Sequence, residues 1–274
     1  MFTVRQAIGK GLGVFASKPI LTGQRILTDQ ALLTITSSDS NSILRQAQLL
    51  STAGRDSLLS LSTNPSKSSV FSWLESIWRS KSAPQHTTQA LFPQVARLNH
   101  SCVPNAQGNF NKDLDAFTIH ATRNIEPEEE ITISYLDEHL GLRQSRQTAL
   151  HDGYGFTCGC SACSTTTSSE AGEVRRAEIQ RKLELFAQAA SEDPEDEFKM
   201  MLALLDAHEA EAIRGREVST MYIATARKAF DLGKREEGRE LALKGLQLEK
   251  EAVGDDSPFY AATLGAVQAL GVEI

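Results

Sequence analysis

The chain has 274 residues, 41% hydrophobic and 23% charged, which suits one large globular domain or two modest ones. Its net charge of -7 argues against a basic nucleic-acid footprint, and no direct nucleic-acid binding is expected. No apolar run approaches the roughly 20 residues of a membrane span, and the opening MFTVRQAIGKGLG has no apolar signal core. The expectation is a soluble protein of the cytoplasm, the nucleus or both, with no membrane partner.

The first part of the chain reads as short strands and turns. Gly11 to Ala16 enters a strand from a glycine turn, and Gln24 to Ile35 alternates well enough for one or two strands. Residues 37–69 are rich in Ser and Thr, with a helical patch near Ile43 to Leu50, and read as an insertion reaching to about residue 90. Ile119 ends a further strand. Glu126-Pro127-Glu128-Glu129 is a turn, and Ile131, Ile133 and Tyr135 alternate with Thr132 and Ser134. That pattern predicts a half-buried strand with Tyr135 on its apolar face.

A polar run at 164–169 offers no apolar side chain to bury and reads as a domain boundary. The charge shifts there too, from a net of +1 before Glu170 to -8 from Glu170 onward. Beyond it the hydrophobic period becomes helical over 174–190, 195–213, 218–232, 235–253 and 258–270. Short breaks such as Gly233-Lys234 separate these segments. The expectation is antiparallel helix pairs stacked as in a solenoid, and the pair from about Met221 to Glu251 has tetratricopeptide length. The helices serve either to pack against the first domain or to bind a partner in a groove.

Three of the four cysteines lie in Cys158-Gly159-Cys160-Ser161-Ala162-Cys163. A C-x-C-x-x-C run brings three thiolates within reach of one tetrahedral ion. The remaining cysteine, Cys102, is the candidate fourth ligand. Four thiolates leave no open coordination position, so the expected zinc is structural and staples the loop after residue 150 to the segment around Cys102.

Cys102 belongs to Asn99-His100-Ser101-Cys102-Val103-Pro104-Asn105. With Lys10-Gly11-Leu12-Gly13, Glu128 to Tyr135, Tyr154 to Cys158 and the cysteine run, this ordered set resembles a SET-domain methyltransferase. The helical C-terminus makes it most similar to the SET-and-MYND lysine methyltransferases, in a fungal-looking version. The resemblance implies an α+β protein: a SET β-fold with a knot-like crossing and a post-SET zinc site over 1–164, and an all-α tetratricopeptide-like domain over 170–274. It implies S-adenosylmethionine on one face and a substrate lysine entering a channel from the other. Lys10, Gly11, Leu12 and Gly13 would line the cofactor, Lys10 and Leu12 through their backbone. Asn99 and His100 would hold its amino-acid and adenine parts. Phe156 would stack on the adenine or wall the channel, and Tyr135 would stand at the reaction centre. Tyr154 reads as packing.

Two departures qualify the resemblance. The stretch from Thr36 to Ala90 has no cysteine and one histidine, so it cannot build a MYND finger. Ahead of Leu91-Phe92-Pro93, where relatives carry a cofactor-contacting asparagine, a loose alignment puts Lys81 or a neighbour. His86, His120, His139, His151 and His208 have no ligand spacing and receive no role. Three functions compete: methyl transfer to a histone or non-histone protein lysine, methylation of a small molecule by a repurposed pocket, and non-enzymatic binding through the helices.

Overall fold

The computed structural model describes residues 1–35, 40–61, 89–137, 140–189 and 193–274. The chain opens with an antiparallel hairpin of β1 (Phe2–Ala7) and β2 (Gly11–Ala16). Gly9 and Gly11 both adopt positive φ, 72° and 76°, which lets three residues reverse the chain. β3 (Arg25–Asp29) and β4 (Leu33–Ile35) occupy the region expected to hold one or two strands. Helices α1 (Ser40–Leu49) and α2 (Thr52–Leu61) follow in the Ser-rich insertion, and β5 (Gln89–Leu91) pairs with β4. Residues 62–88, the rest of that insertion, lie outside the described residues.

Strands β6 (Asn99–His100), β7 (Ala106–Asn111), β8 (Ala116–Ala121) and β9 (Glu130–Ile133) complete the β-structure. They form a four-stranded sheet in the order β1-β2-β9-β6 and a three-stranded sheet in the order β3-β8-β7. β6 runs parallel to β9 although the β7–β8 hairpin intervenes in sequence. Ile131, Thr132 and Ile133 are all buried, so β9 is not the half-exposed strand that its alternation suggests. It lies between β2 and β6, with Ile131 and Ile133 in the main core on one face and Thr132 against Asn105 on the other. It also ends at Ile133, which leaves Tyr135 on the bend beyond it.

Helix α3 (Arg143–Tyr154) ends on Gly155 in the left-handed conformation, and the cysteine loop follows. Then come α4 (Thr167–Ala189), α5 (Pro194–Ala210), α6 (Arg216–Asp231), α7 (Arg235–Val253) and α8 (Pro258–Ala269). These are the five periodic segments, displaced by a few residues at most ends. The largest displacement is at α4, which starts inside the polar run. Ser169 is buried there, its hydroxyl donating to Ser164 O at 2.6 Å. Ser219 Oγ bonds Gly245 O at 2.8 Å while Phe230 packs on Gly238, so α6 and α7 run antiparallel.

The helices dock on the three-stranded sheet. Alternate residues of β7 face them: Gln107 Oε1 accepts from Arg216 N at 2.7 Å, and Asn109 Nδ2 donates to Ala252 O at 3.2 Å. Asn111 Nδ2 donates to Asp256 O at 3.3 Å. On the opposite face a Cβ at Gly108 would lie 2.3 Å from Phe117 Cε1, so β7 closes tightly on the main core. No helix among the described residues is long and apolar enough to cross a membrane.

Candidate active site

The parallel pairing of β6 with β9 brings positions 100 and 135 together. Tyr135 N donates to His100 Nδ1 at 3.0 Å. A backbone N–H can only donate, so Nδ1 is the acceptor and the neutral ring carries its proton on Nε2. That nitrogen lies 3.3 Å from Cys102 Sγ. One buried imidazole thus ties the tyrosine backbone to the cysteine group. The Tyr135 hydroxyl donates to Leu98 O at 2.5 Å.

Aromatic rings surround this centre. Tyr135 lies 4.9 Å from Tyr154 and 6.4 Å from Phe156 between ring centroids, the latter edge-on at 86°. His100 lies 5.3 Å from Tyr135 and 6.1 Å from Phe156. Tyr154 also donates its hydroxyl to Tyr135 O at 3.2 Å. Such quadrupole-bearing faces can stabilise a cation and exclude water.

Next to them stands the glycine hairpin. Asn99 is buried, and its Nδ2 donates to Leu12 O at 3.1 Å and to Glu130 Oε1 at 2.7 Å. The other Glu130 oxygen takes Lys10 Nζ at 2.7 Å. A Cβ on Gly13 would lie 2.7 Å from Glu130 Oε1 and 2.9 Å from Asn99 Nδ2, so only glycine lets this group close.

The four cysteine sulfurs lie within 4.8 Å of one another, with Cys102 and Cys163 at 3.6 Å. Zinc–sulfur bonds of about 2.3 Å in a tetrahedron place sulfurs about 3.8 Å apart, so the group has the size of a metal site. Its electrostatics agree. Hydrogen bonding to Cys158 and its other sulfur neighbours pushes the Cys102 thiol up, whereas hydrogen bonds from Cys102 and the others hold Cys160 down. Thiolates crowded this closely disfavour one another's charge, and a divalent cation among them would relieve that repulsion. Helix α3 secures the loop: Gln147 Nε2 donates to Cys158 O at 2.7 Å while its Oε1 accepts from Cys158 N at 2.8 Å. Arg146, 2% exposed, donates to Ala162 O at 3.0 Å and lies 3.8 Å from Cys163 Sγ.

The candidate cofactor-lining, catalytic and metal-ligating residues named from the sequence therefore lie close together, whereas Lys81 lies outside the described residues with His86 and His139. Sequence reading missed Glu130, Asn105 and Arg146. Asn105 is 1% exposed and clamps β9, accepting from Thr132 N at 2.8 Å and donating to Glu130 O at 2.9 Å. Its signal was present in the motif. Arg146 had none, since a buried arginine on a polar helix looks like any surface arginine.

Residues 11–136 match the family model described as "SET domain". That match takes in a little under half of the chain and ends one residue beyond Tyr135. Three curated relatives to which it is similar are lysine methyltransferases by name. The histone-lysine N-methyltransferase set5 of Schizosaccharomyces pombe is 32% identical over 155 residues, 57% of this chain and 48% of that protein. The histone-lysine N-methyltransferase ATXR2 of Arabidopsis thaliana is 46% identical over 83 residues, 29% of this chain and 17% of that protein. The human N-lysine methyltransferase SMYD2 is 38% identical over 92 residues, 33% of this chain and 21% of that protein. The matches thus span about half the length of these curated relatives, or less.

Proposed function

We propose that this protein is an S-adenosylmethionine-dependent protein-lysine N-methyltransferase. The observation that carries the reading is the convergence of Asn99, His100, Tyr135 and Phe156 beside the glycine hairpin and above four clustered sulfurs. The names of the relatives, which are histone-lysine and other lysine methyltransferases, support a histone or non-histone protein as substrate.

The cofactor would supply a methyl group on a cationic sulfur, and the protein would align a neutral lysine amine with it. The Tyr135 oxygen would accept a hydrogen bond from that amine and orient its lone pair. Phe156, Tyr154 and the ring face of His100 would wall and dry the channel. Both His100 nitrogens are engaged within the protein, so its contact with cofactor would come through backbone and ring face. The Gly11-to-Gly13 segment, with Lys10 and Leu12, would line the cofactor.

On this reading the loop at 158–163 is a post-SET zinc loop holding one structural zinc with Cys102. The passage of β6 beside β9 is the knot-like crossing. The domains are 1–164 and 170–274, the second a tetratricopeptide-like array, and a reducing cytoplasm or nucleus suits the thiolate site.

The test is radiolabelled methyl transfer from S-adenosylmethionine onto histones and a peptide array. Wild-type protein labels lysine, and Tyr135→Phe lowers kcat by about 100-fold, the scale of a lost positioning contact. Labelling of a metabolite extract but of no peptide would assign the pocket to a small molecule instead.

A further inference from the structure

Asn99 has two amide hydrogens, and both are spent inside the protein. Nδ2 faces Leu12 O and Glu130 Oε1, which are acceptors only, so the orientation of the amide is dictated by its partners. Among the described residues its Oδ1 takes no hydrogen bond. Asn99 can therefore offer a ligand an acceptor and nothing else. Glu130 also holds Lys10 at 2.7 Å, so one carboxylate joins the hairpin turn to Asn99.

We propose that Glu130 is a positioning residue for the cofactor: its carboxylate turns the Asn99 carboxamide so that Oδ1 receives the α-ammonium, and not the carboxylate, of the amino-acid moiety. This rests on the cofactor reading above and deepens it. The carboxylate of the ligand would have to be held elsewhere, because a second acceptor against Asn99 Oδ1 is repulsive. Gly13 belongs to the same arrangement, since a side chain there would occupy the space that Glu130 and Asn99 share.

The test is titration calorimetry of the full chain with S-adenosylmethionine and with its deaminated analogue, using wild type, E130A, E130Q, N99A and the E130A/N99A pair, with melting temperatures recorded for each. Wild type should bind S-adenosylmethionine and prefer it to the analogue. E130A should weaken S-adenosylmethionine about tenfold, the usual scale of a lost charge-assisted contact, and reduce that preference. E130Q, which keeps the shape and one acceptor oxygen, should recover most of the loss. In the N99A background E130A should cost nothing further.

An E130A effect that persists undiminished in N99A, or an unchanged preference for the amino group, overturns the Glu130 proposal while leaving the cofactor reading intact. An E130Q protein as weak as E130A does the same. No binding by wild type at millimolar ligand overturns both together.

Discussion

Four residues of the site owe their roles to hydrogen-bond arithmetic. His100 accepts from Tyr135 N and faces Cys102 through its other nitrogen, so it transmits position from the sulfur group to the tyrosine. Asn99 and Glu130 lock each other, and Gly13 is the absence that lets them meet. Gly13→Ala is expected to force a Cβ to 2.7 Å from Glu130 Oε1. It should destabilise the protein by about 1–3 kcal/mol, as overpacking does, and weaken S-adenosylmethionine binding by calorimetry. Unchanged affinity in the variant would show that the hairpin and Asn99 act independently. Asn99 and His100 were legible from the motif, but Glu130 was not, because its neighbours Glu128 and Glu129 are chemically identical to it. Only the register of β9 tells which of the three carboxylates turns inward.

At the scale of elements, α3 and the cysteine loop form one unit. Arg146 is pulled down by burial, but hydrogen bonding to Cys163 and the charges of Cys102 and Cys163 more than offset this, so it stays firmly cationic. A buried arginine beside four sulfurs would offset part of the double negative charge of the proposed metal–tetrathiolate centre. Mass spectrometry of the metal content should find one zinc per chain, lost in Cys160→Ser. Arg146→Met should weaken zinc about tenfold in competition with a chromogenic chelator, the scale on which outer partners act. Metal bound at a thousand times its Kd adds about 4 kcal/mol, so chelation should lower Tm by roughly 10 °C. An unaltered Tm with chelator would mean that the sulfurs hold no structural ion. The cysteine spacing made this group readable, whereas the contributions of Arg146 and Gln147 emerge only once α3 is folded over the loop.

The whole molecule is held together across the seam between the three-stranded sheet and α7. His120 sits there, 1% exposed, accepting from Arg25 Nε at 3.2 Å, and Arg25 also pairs with Asp256 in the turn after α7. Burial, and next the Arg25 charge, hold the His120 pKa down to about 4, while Asp256 and Asp255 pull it up. The unfolded chain therefore binds a proton near pH 6.5 that the folded chain refuses until about pH 4. Stability contributed by neutral His120 is present above pH 6.5 and is lost as pH falls towards 4, by about 3 kcal/mol in total. Denaturant midpoints from pH 7 to 4 should fall for wild type and flatten in His120→Gln, whose oxygen can still accept from Arg25. An identical slope in the variant would move the acid sensitivity to another group.

By itself the chain of residues determined the local matters. It set the five C-terminal helices through their 3.6-residue period, the glycine hairpin through positive φ, and a metal-sized sulfur group through close spacing. It also marked Asn99, His100 and Tyr135 through an ordered motif. Those signals are short-range, set by backbone sterics and by which side chains a few bonds can bring together. Three things waited for the tertiary structure: burial of β9 on both faces, the choice of Glu130 over its twins, and the docking of α7 on Asn109 and Arg25. Each depends on groups tens to more than two hundred positions apart in the chain, and no local periodicity encodes which distant partner removes a given side chain from water.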